Sequence, residues 1–151
     1  MSTVQNQSGI TQSYGTIWMN TGNWSGVSIT LVDDTYKELT SLGTNFTLMS
    51  PSSDFAMTTD GRLKYTGATT RNFLINSAVA INNTARLSIA VYKNGSVITG
   101  SPIFTFQTQG LTNENTPISL ATNDYISLWL KRITGTTVTI FSISLGAVSI
   151  I

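Results

Sequence analysis

The 151-residue chain carries seven acidic and eight basic residues, with no histidine and no cysteine. Serine triads, imidazole general bases and the usual zinc sites are therefore absent from it, because each needs His or Cys. The acidic doublet is Asp33-Asp34. A Ca²⁺ site takes six to eight oxygen ligands, and two neighbours at a strand end point to opposite faces, so a solvated turn is the better reading. Asp54 and Asp60 are the carboxylates to weigh as a glycosidase pair. They stand in polar loops with no aromatic sugar platform beside them in sequence. No enzyme, no metal and no cofactor is expected.

Binding chemistry is the next candidate. Trp24 lies in the loop-like run Asn20-Thr21-Gly22-Asn23-Trp24-Ser25-Gly26, where an exposed indole suits contact with a sugar or a protein. With Asn113, in the polar stretch 109–117, it is a candidate ligand or partner contact. Trp18 and Trp129 fit core or interface. Arg62, Arg71, Arg86 and Arg132 are spread along the chain, and surface solvation is the expectation for them. A pair from Arg71 to Asp60 or Asp124 of another subunit is the alternative. The formal net charge is +1 and no basic cluster exceeds Lys131-Arg132. Nucleic-acid binding leaves a basic footprint, so none is expected.

With 10% charged and 40% hydrophobic content, the chain draws its polarity from Ser, Thr and Asn. Globular chains usually carry about 25% charged residues. Thr favours strands and Asn and Ser favour turns, which points to a β protein, or to one that covers much of its surface in an assembly. The organising stretch is Asp60–Gly95. Phe73, Ile75, Ser77, Val79 and Ile81 alternate with Leu74, Asn76, Ala78 and Ala80, and Leu87, Ile89 and Val91 alternate with Ser88 and Ala90. Period two marks strands with one face on a core. Asn94-Gly95 signals a hairpin, because both central residues of a type I′ turn need positive φ.

Further strands are expected at Tyr14–Met19, Val27–Val32, Asn45–Met49, Phe55–Met57, Ile103–Gln107, Ile118–Leu120, Tyr125–Leu130 and Val138–Ile151, the last bent or bulged at Gly146. Tyr36–Leu42 reads equally as a helical turn or an edge strand. Nine or ten strands and no convincing helix indicate an all-β antiparallel sandwich or barrel. Residues 1–13 are polar and aperiodic and read as a flexible arm, a natural tether in an assembly, preceding one domain over 14–151. That arm lacks the charge and apolar core of a signal peptide, and no apolar run approaches the roughly 20 residues of a membrane span.

Three pieces, in order, resemble the tumour-necrosis-factor-like jelly roll shared with the globular heads of complement proteins. They are Phe46-Thr47 followed by Gly61-x-x-x-Tyr65; Phe73–Ile81 followed by Val91-x-Lys93-Asn94-Gly95; and Leu120-x-x-x-Asp124-Tyr125-Ile126-x-Leu128-Trp129. The run Gly61-Arg62-Leu63-x-Tyr65-Thr66-Gly67 also looks like small domains on virus and phage particles. The resemblance implies a homotrimer, with jelly rolls packed around a threefold axis. Tyr65, Phe73, Tyr125, Trp129 and Phe141 are the residues it would bring to that axis, against the alternative that they are ordinary core. The sequence has no collagen-like stalk, no secretory signal and no acidic calcium cluster, which turns the expectation from a secreted cytokine to a virion part assembled in a host cytoplasm. The expected role is a trimeric capsid decoration, cement or head-fibre protein whose partners are itself and the major capsid protein or another virion protein. The alternative is a receptor- or glycan-binding head using Trp24 and Asn113.

Overall fold

The computed structural model of the chain describes residues 12–20, 26–31, 34–39, 46–59, 61–81, 86–101, 103–105, 114–134 and 137–150. Among these it forms two antiparallel sheets and no α-helix. The first sheet holds β1 (Tyr14–Asn20), β2 (Val27–Thr30), β4 (Thr47–Leu48), β7 (Arg71–Ile81), β11 (Glu114–Leu120) and β13 (Thr137–Ser149). Its order is β11-β7-β13-β1-β4, and β2 follows β1 along the same edge of β13. The second holds β3 (Lys37–Glu38), β5 (Phe55–Thr59), β6 (Arg62–Tyr65), β8 (Arg86–Lys93), β9 (Ser96–Val97), β10 (Ile103–Thr105) and β12 (Tyr125–Thr134). Its order is β10-β8-β12-β6-β5, with β3 on β12 and β9 on β8.

The thirteen strands among the described residues exceed the nine or ten expected. The excess lies in two-residue rungs such as β3 and β9, too short to show any alternation. Of the ambiguous Tyr36–Leu42 stretch, Lys37 and Glu38 form a strand that pairs with Leu130 and Trp129, Leu39 turns into a 3₁₀ conformation, and residues 40–42 lie outside the described residues. The long strands follow their sequence pattern closely. In β7, Phe73, Ile75, Ser77, Val79 and Ile81 are buried while Leu74, Asn76, Ala78 and Ala80 are half-exposed. The Asn94-Gly95 turn takes φ of 50° and 79°, as its type requires.

The core lies between the sheets. Phe55, Tyr65 and Phe73 form an aromatic triangle with ring centroids 5.0–5.4 Å apart. Ile17, Leu63, Ile75, Leu87, Ile89, Ile126, Leu128, Leu130, Ile143 and Leu145 extend it along the sandwich. Each such side chain contributes about 1.5–3 kcal/mol when fully withdrawn from water.

Two boundaries differ from the sequence reading. β13 pairs without interruption through Gly146, and its register shift falls between Ile140 and Ser142, at Phe141. Gly146 instead makes room for neighbouring strands: a Cβ there would stand 2.6 Å from Asn76 Oδ1 and 2.9 Å from Thr16 Oγ1. Ser13, placed by its polarity in the arm, is fully buried and exchanges hydrogen bonds with Ser149.

Candidate functional site

The two outer faces of the sandwich differ in charge. The outward row of β1 is Tyr14, Thr16 and Trp18; that of β7 is Asn72, Leu74, Asn76, Ala78 and Ala80. β13 adds Thr139, Ser142, Ser144, Gly146 and Val148, and β11 adds Asn115, Pro117 and Ser119. No charged residue stands in any of these rows. Tyr14 and Trp18 are each 36% exposed, and Met49 and Ile150 lie exposed at the ends of the same sheet. A strand face with large apolar side chains, small residues and no charge has the composition of the centre of a protein interface, where charge is depleted and aromatics are enriched.

The opposite face is charged and already covered by its own side chains. Arg62 makes a two-pronged pair with Glu38, Nε and Nη2 donating at 2.8 Å each, and its guanidinium lies 4.7 Å from the Tyr125 ring centre. Tyr92 stacks on Trp129 at 4.3 Å, and Tyr36 meets Tyr92 at 5.8 Å. Beneath this layer Ser88, Ala90 and Ser127 are buried although they stand in outward rows.

These placements correct part of the sequence reading. Tyr65 and Phe73 are fully enclosed within one chain, with the Tyr65 hydroxyl donating to the Thr69 carbonyl at 2.8 Å, so neither has surface for another copy. Their row faces the core because β6 and β7 lie in opposite sheets and turn their apolar sides towards each other. Tyr125 and Trp129 are half-buried on the charged face, away from the uncharged one, and Trp129 Nε1 donates to Ser127 Oγ at 3.0 Å. Phe141, half-buried in β13, belongs to the uncharged sheet. Trp24, Asn113, Asp33 and Asp60 lie outside the described residues. Tyr14 and Val148, which the sequence reading did not single out, also stand on this uncharged face; alternation puts them in the same rows as Trp18 and Ser144.

β1 begins and β13 closes at one end of the sandwich, where Tyr14 pairs with Val148 and Phe73 with Ser149. Ser13 ties that end together. Its Oγ donates to Asp54 Oδ2 at 2.5 Å and accepts from Arg71 Nη1 at 3.0 Å. Asp54, held at φ 61°, thus serves in a structural latch. At the same end Asp124 clasps two turns. It takes a 2.8 Å ion pair from Lys93, a 2.7 Å bond from Asn94 Nδ2 and a 2.8 Å bond from the Ala121 amide. Burial pushes the Asp124 carboxyl up, but those bonds and the Lys93 charge outweigh it and hold it below its ordinary value. Asp124 is therefore satisfied within its own chain. Among the described residues no cluster of three or more acidic side chains is placed to hold a metal ion.

No family model matches the sequence, and no curated protein matches it. Solved structures do. PRD1 vertex protein P5 superposes with a TM-score of 0.63 at 10% identity, over 92% of this chain and 97% of that one. Eiger TNF from S. frugiperda gives 0.57 at 11% identity, over 93% of each chain. Murine APRIL gives 0.54 at 11% identity, over 93% and 100%.

The fold is a tumour-necrosis-factor-like jelly roll. The resemblance read from Phe46-Thr47 with Gly61–Tyr65, from Phe73–Gly95 and from Leu120–Trp129 thus extends over nearly the whole chain. In this jelly roll the uncharged sheet is the one containing β1 and β13, so the terminal strands lie side by side in the face best suited to contact.

Proposed function

We propose that the chain is a structural virion protein, a homotrimeric jelly-roll head that attaches to the outer surface of a capsid. The observation that carries this reading is the uncharged outward face of β11-β7-β13-β1. Three copies would bury Tyr14, Trp18, Leu74 and Val148 around an axis, and association would stabilise each copy by mass action. The likeness to a vertex protein supports a place on a particle shell. Residues 1–11, the polar stretch that precedes Ser13 in sequence, would serve as the tether, with the major capsid protein or another shell protein as partner. The role is mechanical, either cementing neighbouring capsomers or forming the head of a short fibre, and requires no catalytic group.

The test is co-sedimentation of the purified chain with bare capsids of the encoding virus. The full chain is expected to pellet with them, and a chain lacking residues 1–11 to stay in solution while keeping its circular dichroism and melting temperature. Equal pelleting of both chains would overturn the tether, and no pelleting of either would overturn capsid attachment.

A further inference from the structure

A cavity of about 460 Å³ is lined by Asp34, Arg86, Lys131, Arg132 and Ile133. It lies at the end of the sandwich away from Ser13 and Ile150, where Arg86 opens β8 opposite Thr134 near the close of β12. Its volume falls in the range of small-molecule sites, roughly 300–1,000 Å³. Three of the chain's eight Lys and Arg converge on it against one carboxylate among the described residues, so the described lining carries a formal charge of three minus one, +2.

Arg132 is the informative member. On β12 the residues Ile126, Leu128 and Leu130 form the core-facing row, and Arg132 comes next in that row, opposite Leu87. Two other cations end core-facing rows, and both are answered from within the chain: Lys93 by Asp124, and Arg71 by Ser13. Arg132 is half-buried yet makes no ion pair with a described residue. Holding a partly buried charge is costly, and an anion entering the cavity beside Arg132 offsets that cost. The register shift between Arg132 and Thr134 breaks the strand alternation here, so that neighbouring Lys131, Arg132 and Ile133 all border one space. Lys131 is held at the rim, 3.4 Å from Asp34 and 5.5 Å from the Tyr36 ring centre, and the Tyr36 hydroxyl is fixed against Ser88.

We propose that this cavity binds a single sugar unit carrying one acidic group, a carboxylate, sulfate or phosphate. A guanidinium offers paired donors that match such an oxyanion, and an ammonium adds a point charge beside it. Ile133 supplies an apolar wall for the C–H face of a ring. A long polyanion would need cations tracking along a surface, whereas these converge on one hollow. The proposal stands independently of capsid attachment, because it concerns the opposite end of the molecule and is tested on the purified chain alone.

The experiment is calorimetric titration with N-acetylneuraminic acid, glucuronic acid, galactose 6-sulfate and glucose 6-phosphate, with galactose, inorganic phosphate and heparin as comparisons. One of the acidic sugars is expected to bind one-to-one, more weakly as salt rises, with galactose silent. Arg132→Gln should weaken that binding at least tenfold, and Arg86→Gln should also weaken it. Asp34→Asn should tighten it, since it removes the opposing charge, and Lys64→Gln on distant β6 should leave it unchanged. Melting temperatures verify that each variant is folded. No saturable binding by any acidic sugar at millimolar concentration would overturn the proposal, as would wild-type affinity in both Arg variants. Inorganic phosphate binding as tightly as the sugars would reassign the cavity to a free oxyanion. Binding of heparin alone would reassign it to a polyanion.

Discussion

Gly15 sets how closely β1 approaches the core, because a Cβ there would lie 2.5 Å from Phe55 Cβ. Phe55 is itself locked between Tyr65 and Phe73 and cannot swing away. Gly15→Ala should therefore destabilise the fold by about 1–3 kcal/mol, the usual cost of overpacking, read as a lower urea midpoint. Asp124 makes a prediction with a pH sign. Its folded pKa is depressed, so its contribution is present above the unfolded carboxylate value of about 3.9 and is lost as pH falls through the folded one. Asp124→Asn should cost about 1–3 kcal/mol at pH 7, the scale of hydrogen bonds to a charged group. The gap from the unsubstituted chain should close in acid. An equal gap at pH 7 and pH 2 in urea titrations would contradict this account of the clasp.

The two sheets divide the apolar side chains between a shared core and an uncharged outer face. Phe73 belongs to the core, and Phe73→Ala should lower unfolding free energy by about 3–5 kcal/mol, as large-to-small core changes do. Trp18, on the uncharged outer face, should behave oppositely. Trp18→Ser should leave the unfolding of the isolated chain within about 0.5 kcal/mol, as for ordinary surface positions, while weakening self-association in sedimentation velocity. The same contrast explains what the sequence could and could not convey. Strict alternation in Phe73–Ile81 and Tyr125–Leu130 made those strands and their two faces legible. Alternation does not say which face turns to the core and which to a partner until the sheets are known, so Tyr65 and Phe73 were legible as a set but not as interior. Gly146 read as a bend because glycine weakens strands, whereas here it yields space to Asn76 and Thr16. Arg132 looked like one more dispersed cation, since only the register places it behind Leu130 in the core-facing row. β3 carried no signal because two residues cannot show a period.

The whole molecule has two unlike faces and two unlike ends. One face is charged and closed by its own Arg62–Glu38 pair and aromatic layer; the other carries no charge in its strand rows. One end gathers the start of β1, the close of β13, the Ser13 latch and the Asp124 clasp, and the other holds the basic cavity. Attachment at the first end would leave the second facing outward, where a sugar-binding pocket would be of use. A lysine at Ser144, in the middle of the uncharged face, should leave the fold intact but set three like charges close together in an assembled trimer. Ser144→Lys is therefore expected to dissociate the assembly at low salt and to leave circular dichroism unchanged. The trimer is tested first by the native mass of the unsubstituted chain, by light scattering or native mass spectrometry, at low micromolar concentration. Three times 16.3 kDa is expected. A stable species at the mass of one chain would contradict it, and would leave Tyr14 and Trp18 as ordinary surface residues of a monomeric β-sandwich.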